Sequence, residues 1–135
     1  MWPAFLLAVS LSILPLATCS AEPGKVESVP AVQARVHHLV FVWLKPEHRS
    51  PATVQALIEA QQPLRTVPGL VSLDFGKPIM SERPVVEDSY DLVANFIFAS
   101  REQMTAYLGH PVHIAFLRSP IQQKVERIVV FDFEQ

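Results

Sequence analysis

Val36-His37-His38-Leu39-Val40-Phe41-Val42-Trp43-Leu44 is the stretch that decides the fold of this chain of 135 residues. It is rich in β-branched and aromatic residues, and its length is typical of a β-strand. Side chains alternate between the two faces of a strand, and both faces of this one are largely apolar. A strand with this pattern needs apolar cover on both sides.

A helix is predicted directly after this strand. Ser50 is a favourable N-cap, and Pro51 suits the first helical position. Pro63 lacks an N–H group, so the helix ends or kinks there. Gln61 is a polar gap in the apolar stripe that follows helical spacing. The stripe consists of Val54, Leu57, Ile58 and Leu64.

The remaining chain predicts strand, strand, helix and strand. Residues 70–77 alternate as a half-buried strand, with Val71, Leu73 and Phe75 on the inner face. Residues 90–98 form the next strand, with Tyr90 on the same face as Leu92 and Phe96, and Asn95 needs a partner if it is buried. The other predictions are a helix capped by Ser100, a short helical piece over 112–119 and a last strand over 125–133.

This order predicts an α+β, ferredoxin-like βαββαβ fold. Helices can cover just one face of such a small sheet, yet the first strand is apolar on both faces. An uncovered face would expose Leu39, Phe41 and Trp43 as a patch that monomers rarely tolerate. We therefore expect a homodimer in which two sheets pack face to face as a dimeric α/β barrel.

Composition excludes several classes of protein. Half of the residues are apolar, 18% are charged and the net charge is −2, which fits one folded domain rather than a disordered chain. The sequence pI of about 6.2 argues against nucleic-acid binding. The single cysteine excludes an intrachain disulfide, and no glycine-rich nucleotide motif occurs.

The N-terminus predicts export. Residues 1–21 carry no charged side chain and hold a short apolar run, which is typical of a signal peptide. Three alternatives stay open. The first is cleavage before Glu22, giving a periplasmic or secreted protein, and the second is a lipobox that leaves an acylated Cys19 and so a membrane anchor. The third is an N-terminal segment that is not cleaved. Residues 22–34 are predicted to be a flexible leader, and 35–135 the folded domain.

Four segments in order resemble one known family. They are Val36-His37-His38-Leu39-Val40-Phe41, Val67-Pro68-Gly69-Leu70, Tyr107-Leu108-Gly109-His110-Pro111-Val112-His113 and Asp132-Phe133-Glu134. Together they resemble the stress-responsive dimeric α/β-barrel (Dabb) family, here in an exported version. The resemblance implies a dimer of ferredoxin-like subunits. Most members have no assigned reaction, while some plant members are polyketide cyclases and related barrels include cofactor-free monooxygenases.

The resemblance to the cyclase members also implies a site. His113 matches their general base and Tyr107 the residue that positions or polarises the substrate, while His38 matches their first-strand histidine. A neutral imidazole is a reasonable base near pH 7, and a tyrosine hydroxyl can donate to a developing enolate. The expected pocket lies between sheet and helices, lined by His38, Val40, Tyr107, His113 and Phe116.

Three hypotheses remain after this reasoning. The first is a binding protein for a small molecule, the second a cofactor-free enzyme with His113 as base and Tyr107 as donor, and the third a structural dimer whose own side chains fill the pocket. Each candidate residue also has a purely structural interpretation, such as capping or core packing. We expect no cofactor and no metal, because His37 and His38 point to opposite faces of the strand and no zinc signature occurs.

Overall fold

The computed structural model describes residues 34–135. The predicted signal peptide, Cys19 and all of the leader but Ala34 lie outside these residues. The described elements are β1 (Val36–Leu44), α1 (Pro51–Gln61), β2 (Leu70–Gly76), β3 (Leu92–Phe98), α2 (Arg101–Leu108), α3 (Pro111–Leu117) and β4 (Val125–Glu134). Three short 3-10 helices, Pro46–His48, Gln62–Thr66 and Pro120–Lys124, connect them.

The four strands form one antiparallel sheet in the order β2-β3-β1-β4. The predicted first strand, β1, occupies a central position and pairs with β3 on one side and β4 on the other. In register, His38 lies between Phe96 and Asp132. This topology confirms the predicted ferredoxin-like α+β fold.

Local signals in the sequence set the starts of α1 and α2. Ser50 accepts a hydrogen bond from the Thr53 N–H at 3.2 Å, and Ser100 accepts one from the Gln103 N–H at 3.3 Å. Helix α1 ends at Gln61, and the chain continues as a 3-10 helix through Pro63, as the missing proline N–H requires.

The helices pack on the inner face of the sheet, where the apolar core lies. Leu92, Ala94, Phe96 and Phe98 alternate along β3 and are almost completely buried. They meet Leu57 of α1, Tyr107 of α2 and residues of β1 and β2 in two adjoining clusters. Burial of these side chains supplies most of the stabilisation of the fold.

The predicted alternation of β2 is wrong at the start of the strand. Val71 was expected to face inward with Leu73 and Phe75, but it is 48% exposed, whereas Leu70 packs against the core. A register shift between Leu70 and Ser72 in the pairing with β3 explains the difference. A bulge adds one unpaired residue and so reverses the faces on one side of it.

The predicted start of β3 is also wrong. Strand β3 begins at Leu92, and Tyr90 packs instead against Phe41 and Trp43, which belong to the outer face. Asp91 holds the chain in this path: its N–H donates to Val42 O, and its carboxylate accepts from the Leu44 N–H. These bonds turn the chain before it enters the sheet.

No described helix covers the outer face of the sheet. Phe131 is 59% exposed and Phe133 47%, while Arg127 stacks over the Trp43 ring at 3.7 Å. Asn95 also lies on this face, and its buried Oδ1 has no hydrogen-bond partner among residues 34–135. In the described part of the single chain, this face therefore exposes apolar side chains and leaves one buried polar atom without a hydrogen bond.

Across residues 34–135, no helix is both long enough and apolar enough to cross a membrane.

Candidate functional site

A cavity of about 190 Å³ lies between the sheet and the helices. Its walls come from β1, β3, β4, α1, α2 and α3. The lining residues are His38, Val40, Gln61, Phe96, Tyr107, Leu108, His113, Phe116, Leu117, Ile128 and Val130. All five residues of the predicted pocket are among them.

The elements explain why these side chains converge. His38 and Val40 alternate on the inner face of β1, where they point towards the helices. Tyr107 lies in the last turn of α2, and the break after Leu108 allows α3 to begin at Pro111. The chain therefore changes direction between the two helices, and this places His113 beside Tyr107.

Tyr107 and His113 are in direct contact. Their ring centroids lie 4.4 Å apart with a tilt of 34°. His113 Nδ1 lies 3.0 Å from Leu108 O, and since a carbonyl oxygen can only accept, this nitrogen donates. In the neutral ring the lone pair is then on Nε2, the nitrogen that a general base needs free.

His38 is the most enclosed histidine of the site. It is 8% exposed, and its Nδ1 lies 2.6 Å from Asp132 Oδ1 on the neighbouring strand. Its ring meets Phe96 and Tyr107 edge-on, with centroids 5.6 and 6.1 Å apart. Hydrogen bond and packing together fix the orientation of this imidazole.

The Tyr107 hydroxyl is kept in its neutral form. Tyr107 is 2% exposed, and burial raises its pKa above the ordinary value. No hydrogen bond within residues 34–135 uses this hydroxyl, although the residue lines the cavity. A neutral hydroxyl on a residue that lines the cavity can donate to a ligand over the whole physiological pH range.

Two of the other described histidines, His110 and His37, have structural surroundings. His110 caps α3, where its Nδ1 accepts the Val112 N–H at 3.2 Å. His37 lies on the outer face and stacks on Phe133. Within residues 34–135, no three His, Cys, Asp or Glu side chains are placed to share a metal ion.

Two polar residues near the cavity were missed by sequence reasoning. Gln61 is 3% exposed, lines the cavity and donates from Nε2 to Leu57 O at 3.2 Å. Its signal was the polar gap in the stripe of α1. Asp132 stands in one of the segments that carry the family resemblance, but no role was predicted for it, because an acidic residue on a strand is usually a solvated one.

Fold and cavity together define a class of protein: a ferredoxin-like α+β domain with a small, mainly apolar pocket between sheet and helices. The chain belongs to the Stress responsive A/B Barrel Domain (Dabb) family, whose pattern it matches over residues 36–135. No curated protein matches the sequence significantly.

Solved structures show the same fold. A Dabb family protein from Mesorhizobium loti is 25% identical, has a TM-score of 0.59, and the match covers 75% of this chain and 96% of that one. A dimeric ferredoxin-like protein of unknown function from Thermobifida fusca is 21% identical, with a TM-score of 0.59 and coverage of 76% and 92%.

A hydroxynitrile lyase from Passiflora edulis also has this fold, at 20% identity and a TM-score of 0.60, with coverage of 76% and 94%. Similar structures therefore include a protein of unknown function and an enzyme, and solved relatives are described as dimeric. The family sets the architecture and leaves the activity open.

Proposed function

We propose that this protein is an exported Dabb homodimer that binds a small molecule in the cavity between sheet and helices. The observation that carries the proposal is the cavity itself, in which Tyr107, His38 and His113 supply polar groups within an apolar wall. Ligand pockets typically combine an apolar lining with a few well-placed polar groups.

The size of the cavity limits the ligand. An engineered apolar cavity of about 150 Å³ holds benzene, so about 190 Å³ suits a compound built on one six-membered ring. Entry is expected between β4 and the helices, where Leu108, Leu117, Ile128 and Val130 are each between 43% and 46% exposed. Such a mouth admits an apolar molecule at little cost in desolvation.

Export and dimerisation are supported by separate features. The uncharged, apolar residues 1–21 support export, and Cys19 supports a lipid anchor as its alternative form. The uncovered outer face with Phe131 and Phe133, together with the dimeric relatives, supports the homodimer.

Native mass spectrometry of the protein purified from the exporting cell tests this proposal. We expect a dimer that carries a co-purified small molecule, and a chain mass that shows cleavage before Glu22 or a diacyl group on Cys19. Val40→Phe fills the cavity, so it should lose the bound mass while the dimer persists. A dimer without any bound mass, whose Val40→Phe variant behaves identically, would favour a structural dimer instead.

A second candidate function is a cofactor-free enzyme acting on a small carbonyl compound. The contact of Tyr107 with His113 favours it, because a base with a free Nε2 lies beside a neutral hydroxyl donor. A protein of the same fold is a hydroxynitrile lyase, so the architecture can support catalysis.

Turnover of small carbonyl compounds by His113→Ala and Tyr107→Phe tests this second candidate. Loss of a general base typically lowers the rate about 10²- to 10⁴-fold, and we expect a loss in this range for His113→Ala while ligand binding persists. If His113→Ala kept the wild-type rate and merely unfolded at a lower temperature, the catalytic role of His113 would be wrong.

A further inference from the structure

The hydrogen bond between His38 and Asp132 determines which nitrogen of the His38 ring can accept a proton in the cavity. Asp132 Oδ1 is an acceptor, so the hydrogen bond of 2.6 Å places the proton of the neutral imidazole on His38 Nδ1. The lone pair is then on Nε2. No hydrogen bond within residues 34–135 uses that nitrogen, and His38 lines the cavity.

We propose that Asp132 is a positioning residue that makes His38 the proton acceptor for the acidic hydroxyl of a bound ligand. The cavity would then select single-ring phenols and enols of similar size. This inference rests on the proposed ligand-binding function and names the class of ligand and the group that recognises it.

The proton transfer balances without any further reactant. The O–H bond of the ligand breaks, its electron pair stays on the ligand oxygen, and the proton bonds to His38 Nε2. The resulting imidazolium faces the Asp132 carboxylate at 2.6 Å, which compensates its charge. Tyr107, whose ring lies beside His38, supplies the neutral donor for the phenolate oxygen.

The two cavity histidines differ in the group that accepts the hydrogen bond from Nδ1. His113 Nδ1 donates to a backbone carbonyl, whereas His38 Nδ1 donates to a carboxylate. Hydrogen bonds between charged groups are roughly twice as strong as neutral ones, so a carboxylate stabilises the protonated ring more than a carbonyl does. The hydrogen bonds therefore favour His38 as the acceptor, although the family resemblance points to His113.

Asp132 is suited to its part because its side chain is 48% exposed, while the His38 side chain is 10% exposed. The carboxylate is thus partly hydrated while it accepts the hydrogen bond from the enclosed imidazole. It also lines a second, larger cleft with Val36, Arg101 and Met104. A charge that is solvated in this way costs less than one enclosed in the core.

The experiment uses 4-nitrophenol as the probe, because its visible absorbance distinguishes phenol from phenolate. It is titrated into the protein purified from the exporting cell, at a pH below the pKa of the free probe. We expect wild type to bind it largely as phenolate. Asp132→Asn should bind phenolate about tenfold more weakly or worse, as expected for the loss of a hydrogen bond between charged groups, and His38→Gln should bind the neutral form.

Glu134→Gln is the matched control. Glu134 is a carboxylate on the same strand, two residues further on, but it pairs with Arg101 at 3.0 Å and does not line the cavity. Its substitution should leave the bound spectrum unchanged. If Asp132→Asn gives the same phenolate signal as wild type, the inference is overturned while the ligand cavity stands.

A measurement without ligand separates the role of Asp132 from ligand binding. Long-range ¹H–¹⁵N spectra of the free protein should show neutral His38 protonated on Nδ1, and Asp132→Ala should shift the proton towards Nε2. An unchanged tautomer overturns the positioning role. Failure of wild type to bind the probe overturns the phenol class, whereas the proposed function is decided by the co-purified mass.

Discussion

Tyr107 is the residue on which the site depends most. Both cavity histidines contact its ring, and Phe96 and Phe98 pack against it from the sheet. The rest of the Tyr107 side chain packs in the apolar core, and its hydroxyl is the one polar atom of that side chain. Burial that raises its pKa connects the chemistry of the site with the stability of the fold.

Tyr107 predicts how stability changes in alkali. Because its pKa is raised in the folded state, its contribution to stability is present below the unfolded value of about 10 and is lost as the pH rises through the folded value. Urea titrations between about pH 8 and pH 11 should therefore show a steeper fall for wild type than for Tyr107→Phe. Parallel curves would show that the hydroxyl is not buried in solution.

Gly69 is the second residue with a specific requirement. Its φ is +84°, and an added Cβ would collide with the Gln103 side chain. Gly69→Ala should lower the free energy of unfolding by at least about 1–2 kcal/mol, measured by urea denaturation. Gly109→Ala is the control, since its nearest neighbour would be Ala106 O at 4.0 Å and its φ is −93°. Equal losses in both variants would contradict this reason.

Among the elements, those with local signals could be predicted from the sequence. The bounds of β1 were predicted correctly, and so was the start of α1 at Pro51, because periodicity and capping are properties of neighbouring residues. The bulge at Val71 and the position of Tyr90 depend on pairing with distant strands. No pattern within these segments reports such pairing.

The same distinction applies to the site. His38, Val40, Tyr107, His113 and Phe116 were grouped by resemblance, and the structure places them in one cavity, although their roles remain predictions. The pairing of His38 with Asp132 joins residues that are 94 positions apart. It follows from the register of β1 with β4, which the sequence alone does not specify.

The cap of α1 gives a prediction at the level of the element. Ser50 accepts from the Thr53 N–H at 3.2 Å, so Ser50→Ala should cost about 1 kcal/mol in the free energy of unfolding. Ser50→Asp keeps an acceptor at this position and should restore most of the stability. Thermal or urea denaturation measures both. An equal loss in both variants would indicate that packing, not the cap, is responsible.

For the whole molecule, the outer face of the sheet predicts the oligomeric state. Phe131 is 59% exposed on this face. Phe131→Asp should convert the proposed dimer to a folded monomer, because the dimer interface would then bury an unpaired carboxylate, which is costly. Sedimentation velocity measures the mass. Leu117→Asp changes an apolar side chain on the helix layer and should leave a dimer. A dimer in both variants would place the interface elsewhere.

Strand β4 has a consequence that concerns both faces at once. Ile128, Val130 and Asp132 face the cavity side, while Val129, Phe131 and Phe133 alternate with them on the outer face. A shift of this edge strand changes both surfaces together. If a ligand fits the dimer better than the monomer, each bound ligand must tighten self-association by the same factor, since such coupling is reciprocal. The affinity for ligand would then rise with protein concentration, and dilution, which dissociates the dimer, would lower it.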